Sequence, residues 1–334
     1  MRLEIAGDFD ERYRFNLEPK FTEDEVELEE AWVGMDLAER GPRLILGRMK
    51  EPFSLEELVP LKHIDFVNLS LLNQFVPAEQ HGVTLYGWTP DRRIEYGGAF
   101  FTGDGAEEID SERGGAARCV LHPFAGEDGS SLRGLQVGAA ATIGRAGQDL
   151  SGDELDTEAR VPFLAFEPGS SLDGRRWRVG AEAAWLHGPF ALYGEWMATR
   201  QEMEGAGGEE DVSIDGGFVA LSWVLTGEEK TWRGISPSRP FRPGGEGTGA
   251  GAFQIAARFS LLALDGDLVD AGIVAPPAFP RRVRGLEAGL NWYATDHARV
   301  KLHYLRTDYG RDVVIGGDER GAEDALLLQF QLHF

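Results

Sequence analysis

The chain has 334 residues, of which 42% are hydrophobic and 27% charged, and its formal net charge is −23. So large an acidic excess argues against nucleic acid as a partner. The single cysteine, Cys119, excludes an internal disulfide framework and a multi-cysteine metal site. No stretch approaches the roughly 18 consecutive apolar residues of a spanning helix, a test to which a transmembrane barrel is blind because only alternate residues of its strands touch lipid.

The amino terminus opens directly on strand-like residues, Met1-Arg2-Leu3-Glu4, without a basic region, an apolar stretch or a small-residue cleavage site of the secretory kind. From there a period of two dominates, as expected of strands with one oily and one wet face. It predicts about fifteen strands, near residues 2–8, 11–18, 25–37, 42–49, 81–89, 92–101, 115–124 and 133–144, then 175–187, 189–200, 212–225, 250–262, 281–293, 298–308 and 321–334. Leu135, Val137, Ala139, Ala141 and Ile143 oppose Gln136 and Thr142, while Val179, Ala181, Ala183 and Trp185 oppose Arg178 and Glu182. Phe253, Ile255, Ala257, Phe259 and Leu261 oppose Gln254, Arg258 and Ser260. Val300, Leu302 and Tyr304 oppose Arg299, Lys301 and His303. Leu326, Leu328, Phe330, Leu332 and Phe334 oppose Gln329, Gln331 and His333.

The connections alternate in length. Tight turns are expected at Leu186–Pro189 and Tyr293–His297, and long acidic loops at Gly103–Arg113, Ala146–Arg160, Glu202–Asp215 and Asp308–Glu323. Short turns at one end and long loops at the other are the layout of an outer-membrane barrel. Trp185, Trp196, Trp223, Trp292 and Phe334 fall near strand ends, as an interfacial aromatic girdle would place them. A soluble sandwich also alternates, but the charged residues on the wet faces and the small residues on the oily ones favour a barrel. Single-chain bacterial barrels have an even number of strands. The odd count, with a clean final strand, leads to the expectation of a sixteen-stranded wall whose first strand precedes Met1, on one domain spanning 1–334.

Residues 50–80 break the alternation. Ser54, followed by Glu56 and Glu57, has the form of a cap on a short helical turn, and the segment is too apolar for a loop in water. It is expected to fold inward and narrow the bore, with its apolar side chains on the wall and its charges toward the lumen; a lid on the outer rim is the other reading. The scattered histidines show no metal-ligand spacing, the glycine cluster Gly244-Gly245-Glu246-Gly247 lacks a phosphate-loop context, and no Ser–His pairing singles out a nucleophile. No cofactor and no catalysis are expected.

Several stretches resemble the phosphate-selective porin O and P family. They are Leu46-Gly47-Arg48-Met49-Lys50-Glu51-Pro52-Phe53-Ser54-Leu55-Glu56-Glu57, Leu225-Thr226-Gly227-Glu228, Gly289-Leu290-Asn291-Trp292-Tyr293-Ala294 and the terminal aromatic strand. The resemblance covers nearly the whole chain. It implies a sixteen-stranded homotrimeric barrel in the bacterial outer membrane, in contact with its lipid. It further implies an inward loop forming a constriction, and basic residues guiding anions. Arg48 matches the family arginine before the loop, and Glu29 falls at the acidic constriction position. Glu57 stands where anion-selective members carry lysine, and Leu69 near an expected arginine. The candidate constriction residues are therefore Arg48, Lys50, Lys62, Glu29, Glu56 and Glu57, with Arg12, Arg14, Arg178, Arg258, Arg299 and Lys301 along the pore wall. Three functions stay open: a passive channel for small charged solutes such as phosphate or other anions, a weakly selective or cation-leaning channel, and a plugged structural or adhesive barrel.

Overall fold

The structure, a computed structural model, describes residues 3–333 apart from 23–25, 40, 103–112, 245–248, 277–278 and 316–317. Seventeen strands form in chain order. The first eight are β1 (Ile5–Phe9), β2 (Tyr13–Phe21), β3 (Val26–Asp36), β4 (Arg43–Lys50), β5 (Glu79–Trp88), β6 (Ile94–Phe101), β7 (Gly114–Leu121) and β8 (Leu135–Asp149). A small hairpin follows, β9 (Glu154–Asp156) with β10 (Pro162–Ala165). The rest are β11 (Ser171–His187), β12 (Phe190–Gly205), β13 (Gly208–Val224), β14 (Ala252–Leu264), β15 (Arg282–Tyr293), β16 (Ala298–Ile315) and β17 (Asp318–Leu332). Two single-turn helices, α1 (Leu55–Leu58) and α2 (Asp267–Asp270), sit in connections.

All strands except β9 and β10 join one fifteen-stranded antiparallel sheet, each paired to its sequence neighbour. The wall therefore needs only local contacts to form. It is a transmembrane β-barrel whose outer face is the apolar set of the alternation: Leu46, Val83, Val219, Leu221, Leu286, Leu326 and Phe330 are all exposed, as lipid contact requires. At the short-turn end, Phe190 stacks on Trp223 and Phe253 on Trp292, forming part of an aromatic belt. Phe334 lies outside the described residues. A series of fifteen antiparallel strands begins and ends pointing the same way, so β1 and β17 run in one direction, and among the described residues no ladder joins them.

Two of the expected long loops are strand. β12 and β13 stay paired up to Gly205 and Gly208, so Glu202–Asp215 is a tight hairpin. β16 continues to Ile315 and β17 starts at Asp318, so Asp308–Glu323 is mostly ladder. Outside the lipid band a strand has no need of an oily face, and Arg200, Glu202, Glu204 and Asp211 replace the apolar set there. Of Gly103–Arg113, residues 103–112 lie outside the described residues. The stretch expected as a loop at Ala146–Arg160 begins as the end of β8 and continues into β9.

Three connections turn into the barrel: residues 51–78 after β4, residues 150–170 after β8, and residues 265–276 with 279–281 after β14. They meet the inner faces of β8 and β11–β16 in an apolar core that contains Leu71, Leu155, Phe163, Leu262, Leu268, Ile273, Val283 and Tyr309, each at most 6% exposed. A second apolar cluster places Leu55, Val59, Ile64 and Phe66 against Ala184, Ala191, Ala220 and Ala256. Small inward residues on those strands let the connection approach the wall. At the short-turn end, residues 225–244 add to the packing, with Trp232 against Tyr193.

Candidate lumen and inward connection

Residues 51–78 are held by their backbone and by three carboxylates. Ser54 caps α1, its hydroxyl accepting the Glu57 N–H at 3.1 Å. The same hydroxyl donates to Glu195 of β12 at 2.8 Å, and the N–H groups of Leu55 and Glu56 donate to the other Glu195 oxygen. The start of α1 thus rests on a wall carboxylate, a favourable arrangement for its unpaired N–H groups.

Further along, Glu56 reaches Arg258 of β14 at 3.0 Å and accepts from the Ser70 N–H and hydroxyl. Arg258 also meets Glu287 of β15 at 2.8 Å and Glu158 of the β9–β10 connection at 3.2 Å, and donates to the Asn68 carbonyl. Its guanidinium lies 4.4 Å from the centre of the Phe66 ring, within cation–π range. Glu158 fits because Gly285 leaves room: a Cβ there would fall 2.1 Å from its carboxylate. Burial pushes Glu56 and Glu158 above the ordinary carboxylate range, against the pull of Arg258.

Asp65 forms the next fastening. It pairs with Lys230 at 3.0 Å and accepts from Gln254 at 2.9 Å and the Tyr193 hydroxyl at 3.2 Å. Burial opposes its ionisation, but Lys230 and these donors hold its pKa below the usual value. Arg299 donates to the Ile64 and Lys62 carbonyls, Lys301 to the Phe66 carbonyl, and Asn291 to the Asp65 carbonyl. His303 bridges Glu287 and Asn291 at 2.8 and 2.9 Å.

Arg258, Arg299 and Lys301 therefore face inward, but each is at most 3% exposed beneath the connection. Their partners include carbonyls and the Glu56 carboxylate of residues 51–78, with Glu158 and Glu287 also held by Arg258, and they do not line an open bore. Arg178 also faces inward, opposite Thr142, and is buried. Arg12 is exposed in the β1–β2 turn, so it is not a wall residue. Arg48 is out of phase with the lumen. It pairs with Ala31 and His81 on the side that carries Leu46 and Val83, and its Nε donates to the Glu29 carbonyl at 3.2 Å.

The other half of the interior, along β2–β8, is different. A β-bulge at Glu29 turns two successive residues inward. Glu29 lies 3.3 Å from Lys20, and Glu30 accepts from Asn16 and Trp32. Lys50 pairs with Glu57 at 2.7 Å and stands 4.0 Å from Glu79. Arg118 makes a two-pronged contact with Glu182 at 2.8 and 2.6 Å and reaches Glu95 at 2.7 Å, geometry that suits a guanidinium fork. Among the described residues, two sizeable chambers lie on this side. One of about 190 Å³ is lined by Glu30, Trp32, Lys50, Pro52, Tyr86 and Arg118 among others. One of about 490 Å³, nearer the short-turn end, includes Arg14, Asp36, Arg43, Tyr86, Arg92 and Arg233. Lys62 stands apart, with its ammonium 2.8 Å from Glu4 beside β1 and its carbonyl accepting from Gln331 of β17.

A sequence model of the phosphate-selective porin O and P family matches residues 1–334. The chain belongs to that family. Membership places it in the bacterial outer membrane. Among curated relatives of this porin, Porin O of Pseudomonas aeruginosa is 24% identical over 162 residues, 48% of this chain and 36% of that protein's length. The barrel is similar to an anion-selective porin from Comamonas acidovorans, with a TM-score of 0.57 at 11% identity, covering 100% of this chain and 89% of that one. It is also similar to OmpT, an outer-membrane protein of Vibrio cholerae, in its trimer form, with a TM-score of 0.54 at 9% identity, covering 97% and 86%. At such identities these two likenesses concern the fold of the porin.

The constriction residues expected from sequence are brought together only in part. Lys50 and Glu57 meet directly, and Glu29 and Glu30 lie on the same inner wall. Glu56 is turned to Arg258, and Arg48 faces outward. Glu195, Asp65, Arg118 and Glu182 were not singled out. Glu195 shares its inward phase with Tyr193 and Met197, opposite Trp196, and that alternation was readable.

Proposed function

We propose that the chain forms a passive, water-filled channel for small charged solutes, that it assembles as a homotrimer, and that it performs no catalysis. The path runs along the inner face of β2–β8, with residues 51–78 as the constriction element. The observation that carries this reading is the pair of chambers left on that face while the opposite face is packed solid.

The charges along the path support weak selectivity over a strong preference for phosphate. Lys20 has Glu27 and Glu29, Arg43 has Asp36, Lys50 has Glu57, and Arg118 has Glu95 and Glu182. A cation already paired with carboxylates has little attraction left for a dehydrating anion. The test is single-channel recording in planar bilayers with asymmetric potassium chloride, followed by phosphate titration. A small reversal potential, and chloride current insensitive to phosphate, are expected. A large anion-signed potential with phosphate block would overturn weak selectivity.

A plugged structural barrel is the second reading, favoured by the apolar core that fills the β8–β16 side. It predicts no conductance in the same recording.

A further inference from the structure

The two chambers along β2–β8 share a single lining residue, Tyr86. It projects inward from β5, in register with Arg43 of β4 and Gly97 of β6. It is held by a hydrogen bond and shares the wall of the upper chamber with Gly97 and Pro52. The Trp88 indole N–H donates to the Tyr86 hydroxyl at 3.2 Å. Pro52, at the start of the inward connection, lies over Gly97, where an added Cβ would fall 2.9 Å from the proline ring. The connection can pack onto β6 beside Tyr86 only because Gly97 lacks a side chain.

We propose that Tyr86 is the neck of the channel, the residue that sets the largest solute able to pass between the two chambers. The inference rests on the channel reading above. The physical reason is volume in a fixed place. Above the ring lie Lys50, Glu30 and Arg118, charges already compensated by their neighbours. Below it lies the wider chamber with Arg14, Arg43, Arg92 and Arg233. Between them a solute meets an aromatic ring on a rigid strand, held by a hydrogen bond beside the connection, and a ring so held cannot swing aside as a long charged side chain does. The passage is therefore limited here by size more than by charge, and Tyr86 is a specificity-determining residue of the transport path.

The test uses the full chain in planar bilayers, with liposome swelling by neutral sugars of increasing size as a second readout. Tyr86→Ala is expected to raise single-channel conductance severalfold and to admit larger sugars. Tyr86→Trp is expected to lower both, while Tyr86→Phe, which keeps the ring, stays near wild type. Val83→Ala, outward on the same strand, serves as a control that leaves both unchanged. Should Tyr86→Ala fail to assemble, the order of Trp against Phe decides, since both retain an aromatic ring. Equal conductance and equal sugar limits for Trp, Phe and wild type would overturn the neck. A wild-type protein that does not conduct would remove the channel reading, and this inference with it.

Discussion

The two halves of the barrel interior carry the same kinds of side chain and use them oppositely. On β11–β17, inward Arg258, Arg299, Lys301 and Glu195 lie beneath residues 51–78 and act as fasteners. On β2–β8, inward Arg43, Lys50 and Arg118 face open chambers, and they and Lys20 pair with carboxylates close at hand. An inward position fixes only that a charge points away from lipid. Whether it meets water or a buried carbonyl is decided by the connection that crosses it.

The sharpest way to break this contrast is Arg258→Met. It leaves Glu56, Glu158 and Glu287 buried without their shared cation, and breaking a buried ion pair costs about 3–5 kcal/mol. The expected outcome is a lower denaturation midpoint together with noisier and larger conductance as residues 51–78 loosen. The matching change on the open side, Arg43→Met, removes a partly exposed pair with Asp36 and is expected to cost no more than about 1 kcal/mol. Equal losses would abolish the distinction. Next comes Leu268→Ala in the apolar core, where truncation of a buried leucine costs about 2–5 kcal/mol; a urea titration should detect it. A loss well below that range would mean that water reaches this region.

On the open side, Lys50→Gln is expected to move the reversal potential toward cation selectivity, because Glu57 and Glu79 lose their nearest positive charge. No change would mean that solutes bypass this cluster. The smallest effect is that of His63. Burial, followed by nearby Lys62, lowers its pKa to about 4 from 6.5. The unfolded chain then binds the proton first, so its contribution to stability is complete above pH 6.5 and declines as the pH falls toward 4. Glu56 and Glu158, shifted upward, act in the opposite sense, so the informative quantity is the difference between wild type and His63→Gln. The variant should show less loss of stability between pH 6.5 and 4.

The wall was legible because lipid writes itself into the sequence. Where the outer face must be oily, alternation is clean on most strands, and all fifteen wall strands were found. Where strands rise above the lipid the outer face carries Arg200, Glu202, Glu204 and Asp211, the period vanishes, and the ladder was mistaken for loop. The interior was less legible. Arg258 could be placed inward by phase alone, but Glu56 lies 202 residues away and no local pattern joins them. The outward phase of Arg48 was hidden because Leu44, Ile45 and Leu46 are all apolar and so carry no alternation. Gln254 reads as an ordinary wet-face residue, and only the fold brings it, with Asn291 and Tyr193, to Asp65.

The placement of residues 51–78 also dictates an order of assembly. Neighbouring strands zip together by contacts close in sequence, whereas the bonds from Arg299 to this segment span 235 and 237 residues. Their closure entropy is recovered only once β14–β16 stand in place. The segment therefore docks last, into a wall already formed, and its arrival should appear during refolding as a separate slow phase that narrows the bore after the strands have inserted.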